Sequence, residues 1–293
     1  MRRGWLLAMA ISMFGPGVQL AAAAEAPAAI RLVQAPAWLE RGGLRHALAP
    51  GRALHNGDRI VTGSGARVVL GLAEGSVVKL GADATLALDD VVVPATQDGL
   101  FSGFLDVVRG AFRFTTTVVG RRRAIDARVR SATIGIRGTD VWGKSEAARD
   151  FVVLLEGAIT IERDGREYAL DEALSLFMAP RGAAALPIAP VDADDLAGWA
   201  AETEPQAGQG IVDPDGPFVL HLASFAAAAD ATRLATALDA AGYASETSRM
   251  SRAGSVEHRV SIGGYASQAD AVHDGARLAM RHGIEVPRVE RRR

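Results

Sequence analysis

Apolar and polar residues alternate in two stretches of the last quarter of the chain, and the two stretches belong to one repeated pattern. Shifting the sequence by 40 positions places Phe225 on Tyr265 and Leu238 on Leu278. Each copy begins with an alternating strand, continues into an alanine-rich segment of helical spacing and closes with a short strand. Two such halves predict an α+β domain over residues 217–290 in the order βαββαβ, with a four-stranded antiparallel sheet and two helices on one face.

The same alternation predicts which side chains the helices cover, because successive residues of a strand point to opposite faces. Leu220 and Leu222 lie on the more apolar face and should pack beneath the helices. We expect the helices to bury Leu234, Leu238, Val272 and Leu278 against that face. The open face then presents a set of polar and aromatic side chains suited to an extended polar ligand: His221, Ser224, Phe225, Glu257, Arg259, Ser261 and Tyr265.

Two segments of this domain resemble the SPOR (sporulation-related) domain family: Phe218–Phe225, with the sequence FVLHLASF, and His258–Tyr265, with the sequence HRVSIGGY. The resemblance covers essentially the whole domain. It implies binding of bacterial peptidoglycan, with a preference for glycan strands that lack stem peptides, through the open face of the sheet. His221 stands where the family usually has glutamine, and an imidazole differs from an amide in its hydrogen bonds and in its response to pH.

Under this resemblance, the candidate peptidoglycan-binding residues are His221, Ser224, Phe225, Arg259, Ser261 and Tyr265. We expect Arg259 to donate hydrogen bonds to a sugar oxygen or to the lactyl carboxylate that becomes free when a stem peptide is removed. Phe225 and Tyr265 would offer ring faces to the C–H groups of the sugar. His221 and the two serines would supply neutral hydrogen bonds.

Residues 30–179 show a different pattern, in which short runs of alternating apolar and polar residues are separated by glycine turns such as Gly63–Gly65 and Glu74–Gly75. Turns of this kind need a positive φ, which glycine adopts at little cost. Regular strand spacing with turn signals predicts an all-β domain built as a sandwich, a barrel or a β-solenoid. The alternation by itself does not choose among these three.

Two segments of the all-β domain are similar to the FecR family: Asn56–Gly63 (NGDRIVTG) and Ile134–Val141 (IGIRGTDV). The resemblance implies an extracytoplasmic module of the kind found in regulators that pass a signal from an outer-membrane receptor to a sigma factor. Those regulators carry a membrane span ahead of this domain, and the sequence predicts none here, so we expect contact with an envelope protein partner but no transmembrane signalling. We expect Arg137 and Asp140 to bond neighbouring loops around a turn at Gly138, and not to form a charged binding site.

A proline-rich segment, residues 180–216, joins the two predicted domains. The stretch from Pro180 to Pro217 holds six of the chain's 12 prolines, together with many Ala, Gly, Asp and Glu residues. That composition predicts a semi-extended tether. Residues 192–202 are expected to form a short helix within it, and Trp199 is expected to dock on the all-β domain.

The first 24 residues have the order of a secretory signal: Arg2 and Arg3, then the apolar run Trp5–Phe14, then a Gly-Pro-Gly break and four alanines. A membrane anchor needs about 20 uninterrupted apolar residues, and this run is shorter. We therefore expect cleavage after Ala24 or Ala26, export by the Sec or the twin-arginine route, and a periplasmic protein without a stable membrane span.

Composition removes several classes of function. The formal net charge of −2 gives no basis for wholesale binding to nucleic acid, and the absence of cysteine excludes disulfides and thiolate metal sites. The order βαββαβ also occurs in RNA-recognition modules, but the strands here lack the stacking aromatic residues that those modules use. The six histidines show no metal-ligand spacing, and nucleophile, phosphate-loop and dinucleotide motifs are missing. The sequence thus predicts no catalysis, no metal and no cofactor.

Together these features predict a mixed fold and a non-enzymatic periplasmic protein. In the preferred hypothesis, the C-terminal sheet binds stem-peptide-poor glycan strands of peptidoglycan, and the FecR-like domain contacts a partner, in cell division or another envelope process. In the alternative, the FecR-like domain is the working part of an envelope sensor that receives a protein or ligand, and the SPOR-like domain serves only as a wall anchor.

Overall fold

The structure is a computed structural model of the 293-residue chain, and it describes residues 26–93, 100–116, 123–130, 132–136, 138–252, 255–285 and 287–292. The predicted signal sequence and Arg137 lie outside the described residues. Within the described ranges, the helices are too short or too polar to cross a membrane.

The N-terminal domain is built from strands throughout its described part, as the alternating runs predicted. The strands are β1 (Ala28–Gln34), β2 (Ala37–Arg41), β3 (Leu44–Ala47), β4 (Ala53–Leu54), β5 (Arg59–Thr62), β6 (Arg67–Leu72), β7 (Val77–Leu80), β8 (Thr85–Val92), β9 (Phe101–Thr115), β10 (Arg123–Val129), β11 (Ala132–Ile136), β12 (Asp140–Ser145), β13 (Arg149–Glu156), β14 (Ile159–Arg163), β15 (Arg166–Leu170) and β16 (Ser175–Pro180).

The long strand β9 belongs to both sets of strands in this domain. Its first half pairs with β8 and β10, in the set β3–β2–β5–β8–β9–β10–β11–β14–β15. Its second half pairs with β7 and β12, in the set β4–β1–β6–β7–β9–β12–β13–β16. Gly110 lies where β9 passes from the first set of strands to the second. It adopts φ +89°, and a Cβ there would lie 2.5 Å from Ala84. The inward-facing residues of both sets share one apolar core that includes Leu70, Leu86 and Phe112.

The C-terminal domain has the predicted order of elements: β19 (Phe218–Phe225), α2 (Ala228–Ala240), β20 (Glu246–Arg252), β21 (Ser255–Tyr265), α3 (Gln268–His282) and β22 (Arg288–Arg291). The strands pair antiparallel in the order β20–β21–β19–β22. The mixed fold predicted from the sequence, with strands dominating the N-terminal part and helices packed on a sheet in the C-terminal part, is therefore observed.

One face of this sheet packs on the two helices. Leu220 and Leu222 are buried there, as the alternation predicted, and so are Leu238 and Leu278 from the helices. The expectation that Val272 would also be buried is wrong, since 53% of it is exposed. Val272 follows the buried Ala271 directly, and the neighbouring position of a helix is turned about 100° away from the sheet.

The connecting segment is folded onto the N-terminal domain and is not a semi-extended tether. It contains β17 (Ala189–Pro190), α1 (Ala193–Thr203) and β18 (Ile211–Val212). Asp192 caps α1 by accepting a hydrogen bond from the backbone N of Asp194 at 2.8 Å. The composition of this segment did not predict that it folds, because its apolar side chains are buried against a surface of the N-terminal domain.

The docking of α1 rests on aromatic packing and on ion pairs. Trp199 packs with Trp142 and Phe151 of the N-terminal domain, which confirms the predicted site of Trp199. Just past these rings, Glu202 pairs with Lys144 at 2.9 Å, and Glu204 pairs with Lys79 at 2.6 Å. Partly buried ion pairs of this kind fix orientation more than they add stability.

Strand β18 joins the two domains into one sheet. Val212 is opposite Val33 of β1 on one side and opposite Tyr265 of β21 on the other. Backbone bonds reinforce the junction: the N of Ala37 donates to the O of Gly242 at 3.1 Å. The two domains are thus held against one another by shared strand pairing, in addition to their covalent connection.

Candidate functional site

The open face of the C-terminal sheet carries a shallow groove, called here the sheet groove. It is lined by His221, Ser224, Glu257, Arg259, Arg288 and Glu290. Strands β19, β21 and β22 each supply two of these side chains. Strand pairing brings them together, with Ser224 opposite Arg259 and His221 opposite Arg288.

The sheet groove mixes both signs of charge. Arg259 and Arg288 are its cations, and Glu257 and Glu290 are its anions. The Nε2 atom of His221 lies 3.1 Å from Oε2 of Glu290, while its Nδ1 atom is buried without a hydrogen-bond partner among the described residues. A groove with both donors and acceptors suits a ligand rich in hydroxyl groups better than one that carries a single strong charge.

The predicted site residues divide between the two faces of the sheet. His221, Ser224 and Arg259 meet in the sheet groove as expected. Ser261 lies opposite His221 but is only 9% exposed. Tyr265 is fully buried, and its hydroxyl donates to Oδ2 of Asp274 at 3.0 Å, so its ring offers no face to a ligand. Phe225 packs against the same helix-side core. The expectation of two exposed rings beside the groove is therefore wrong.

Two β-bulges explain this division. The register shifts between His221 and Ala223, and again where Phe218 faces Tyr265 but Val219 faces Gly263. Each bulge inserts one extra residue, so every side chain beyond it moves to the opposite face. The first bulge turns Ser224 to the open face and Phe225 to the core. The second, at Gly264 with φ +86°, turns Tyr265 inward.

Arg288 and Glu290 were not predicted as site residues from the sequence. The alternation of Arg288, Val289 and Glu290 was the available signal, since Val289 packs against the core and its neighbours point away from it. The closing strand β22 runs over Arg288–Arg291, so both Arg288 and Glu290 belong to it.

The Arg-Gly-Thr-Asp segment of the N-terminal domain forms structural contacts in its described part. Asp140 pairs with Arg113 at 2.7 Å and accepts a hydrogen bond from Thr115. Gly138 adopts φ +75°, which fits the predicted tight turn. The hydrogen bond to Asp140 is the main cause that raises the pKa of Arg113, against the opposing effect of burial. Asp140 therefore links β12 to β9 through an ion pair and a hydrogen bond.

Groups of three or more His, Asp or Glu side chains arranged to hold a metal ion are not found among the described residues.

Two family models match the chain, one in each domain. The model described as FecR protein matches residues 58–160, and the SPOR domain model matches residues 214–285. The chain carries a FecR domain followed by a SPOR domain. Both families are non-catalytic, and they are typical of the bacterial envelope. The SPOR match contains His221, Ser224 and Arg259, three of the groove residues.

The chain also shows a distant likeness to two solved structures, both titled as a putative anti-sigma factor from Parabacteroides distasonis. One is 15% identical, with a TM-score of 0.41, and the match covers 80% of this chain and 98% of that one. The other is 17% identical, with a TM-score of 0.40, and the match covers 48% of this chain and 64% of that one. No curated protein matches the sequence.

Proposed function

We propose that the SPOR domain binds the glycan strands of peptidoglycan through the sheet groove, with a preference for strands that lack stem peptides. In this proposal the protein is non-enzymatic and periplasmic, and its FecR domain contacts an envelope protein. The observation that carries the proposal is the convergence of His221, Ser224 and Arg259 in one groove, on the face that the helices leave open and within the SPOR match.

The chemistry of the groove supports a carbohydrate ligand. Arg259 and Arg288 can donate to ring and hydroxyl oxygens and to the lactyl carboxylate that removal of a stem peptide exposes. Glu257 and Glu290 can accept hydrogen bonds from sugar hydroxyls. Because no Phe, Tyr or Trp side chain lines this groove among the described residues, binding rests on hydrogen bonds that contribute about 0.5–1.5 kcal/mol each. Affinity per site should be modest, and retention on the wall then depends on the many sites of the polymer.

The experiment is co-sedimentation of the purified full chain with isolated peptidoglycan, before and after amidase removal of stem peptides. We expect binding that increases after amidase treatment. The variant Arg259→Ala should lose most of that binding, because it removes one of the two groove cations. Arg233→Ala is the matched control, because Arg233 lies on α2, on the other side of the sheet, with 76% of its side chain exposed. Equal binding by both variants and the unmodified chain would contradict the proposal.

The FecR match favours a second candidate, in which a protein partner of the FecR domain carries the function and wall binding only positions it. Removing residues 1–216 to test this would also remove β18, which pairs with β21 of the SPOR domain. Point variants in the full chain are therefore the better test. If Arg259→Ala abolishes wall binding but leaves the cellular phenotype intact, the second candidate is favoured, and loss of both together supports the first.

A further inference from the structure

The open face of the C-terminal sheet continues beyond the sheet groove towards the FecR domain. The two bulges insert their extra residues in β19 and after Gly263, so β21 alternates regularly from Arg259 to Gly263. Arg259, Ser261 and Gly263 therefore share the open face. Gly263 is outside the sheet groove, and it lines a cavity at the domain junction together with Pro50 of the FecR domain. The open face thus extends from Arg259 to the junction.

The guanidinium group of Arg292 covers Gly263 on this face. Arg292 directly follows β22, and its backbone N donates to the O of Pro217 at 2.7 Å, which continues the pairing of β22 with β19. Alternation from Glu290 places the Arg292 side chain on the open face. The three atoms nearest to a Cβ built on Gly263 all belong to the guanidinium group. Because glycine has no side chain, this position leaves room for the guanidinium group to lie on the sheet.

The Arg292 guanidinium group is available to a ligand. Arg292 is exposed, and no salt bridge or side-chain hydrogen bond joins it to another of the described residues. Glu290, two positions before it, contacts His221 at 3.1 Å instead. A guanidinium group presents a planar fork of donors that matches the two oxygens of a carboxylate. Arg292 is therefore suited to a carboxylate on a ligand that lies across the open face.

The separation between Arg292 and Arg259 indicates how far apart the bound anionic groups would be. Arg259 and Gly263 are four residues apart on one strand, which corresponds to about 13 Å. That separation is too long for one sugar ring and fits one disaccharide. In a glycan strand without stem peptides, every second sugar carries a free lactyl carboxylate. Two cations at this separation match two successive lactyl carboxylates, and His221 and Ser261 lie opposite each other between them.

We propose that Arg292 is a second carboxylate-binding position of the SPOR domain, so that the open face binds two successive lactyl carboxylates of one glycan strand. Arg259 binds the first carboxylate at the sheet groove, and Arg292 binds the second at the junction with the FecR domain. This inference rests on the proposed glycan binding and adds a ligand length of two disaccharide repeats. It also gives a structural cause for the preference for strands without stem peptides, because a lactyl group in amide linkage carries no charge.

The test measures binding of two tetrasaccharides to the full chain by calorimetry. The muramic tetrasaccharide contains two repeats of N-acetylglucosamine and N-acetylmuramic acid without peptides, and it carries two lactyl carboxylates. Chitotetraose also has four sugar rings but carries no lactyl group. We expect the muramic tetrasaccharide to bind about a hundredfold more tightly, since each paired carboxylate contributes about tenfold. Equal affinities would overturn this inference and leave glycan binding intact, whereas binding of neither probe would overturn the proposed function as well.

Variants with the same loss of charge test the second position. Arg292→Gln should weaken binding of the muramic tetrasaccharide about tenfold and leave chitotetraose unchanged. Arg259→Gln should have an effect of similar size, and the double variant should lose about a hundredfold, because distant positions act additively. Arg291→Gln is the matched control, since it removes the same charge from the opposite face of β22. Unchanged binding by Arg292→Gln, with a loss caused by Arg259→Gln, would overturn this inference but still support the proposed function.

The substitution Gly263→Ala keeps every charge and moves the guanidinium group. The displaced atoms are the end of a flexible side chain, so thermal unfolding should change little. Binding of the muramic tetrasaccharide should weaken by about fivefold, and binding of chitotetraose should not change. If Gly263→Ala binds both probes like the unmodified chain, the guanidinium group over Gly263 does not hold a carboxylate, and the inference is overturned.

Discussion

Trp199 of α1 stacks on Trp142 of β12, with their ring centroids 5.6 Å apart and their planes 9° from parallel. Phe151 completes the cluster at 5.5 Å from Trp199. The proline-rich connection is therefore attached to the FecR domain by an aromatic contact. This attachment fixes where β18 begins and, through β18, how the SPOR domain is placed.

Replacing Trp199 by alanine should lower the free energy of unfolding by about 2 kcal/mol, because a large, partly buried ring and its stacking contacts are lost. Hydrogen exchange of the amides of α1 should rise by a larger factor than exchange in the FecR core. Leu186→Ala is the control, since Leu186 is 46% exposed. Equal effects of the two substitutions would show that α1 is not anchored by the stacked ring.

Asp140→Ala should destabilise the FecR domain by about 2 kcal/mol, because Arg113 loses its main partner while it stays partly buried. Glu204, at 3.1 Å from Arg113, remains and limits the loss. Wall binding should not change. Chemical denaturation and co-sedimentation measure the two effects, with the exposed Asp171→Ala as control. Loss of binding by a fully stable Asp140→Ala protein would identify this segment as a binding site instead.

The raised pKa of Asp274 predicts how the stability of the protein changes with pH. Burial raises the pKa of Asp274 from 3.8 to about 7 in the folded protein, so between these values the folded state holds a proton that the unfolded state has released. Stability due to this group is therefore fully present below about pH 4 and is lost as the pH rises to about 7. The shift corresponds to a loss on the order of 4 kcal/mol.

The substitution Asp274→Asn tests this prediction, because the amide carries no charge and can still accept from Tyr265. The variant should be more stable than the unmodified chain at about pH 8, and the difference should shrink as the pH falls towards 4. Denaturant titrations at several pH values measure it, and groups common to both proteins cancel in the difference. A difference that stays constant across this range would show that Asp274 is ionised throughout.

The two domains approach each other closely at Gly242. It adopts φ +82°, and a Cβ there would lie 2.8 Å from the ring of Trp38. Gly242→Ala should therefore add a clash to the backbone strain and separate the domains, with an increased radius of gyration in X-ray scattering. Gly283→Ala is the matched control, since Gly283 has φ +65° with nothing within 4 Å of its Cβ position.

Both glycine substitutions cost about 1–2 kcal/mol from the left-handed backbone. Gly242→Ala should cost about 1–3 kcal/mol more, from overpacking against Trp38. Equal stability and equal radius of gyration for the two variants would mean that Trp38 yields to the added methyl group, and that the junction is softer than its contacts indicate.

Much of the architecture follows from local sequence patterns. The 40-residue repeat predicted the order of elements in the SPOR domain, and the turns and alternating runs predicted an all-β domain before it. The motifs at Asn56–Gly63 and Phe218–Phe225 indicated the two families that the family models match. These features could be predicted because burial of one face of a strand or helix imposes a period that is visible along the chain.

The composition of the candidate site was decided by the tertiary structure. Ser224 faces the groove while Phe225 and Tyr265 face the core, since each lies beyond a bulge. Period-two alternation predicts facing only as far as the next bulge, and a bulge depends on the register of the partner strand. In the same way, the connection between the domains folds because Trp199 packs on a surface of the FecR domain that is distant in sequence. Strand β18 then pairs with β1 on one side and with β21 on the other. Local sequence determines which residues can be buried, but the surfaces and partner strands that bury them come together only in the folded chain.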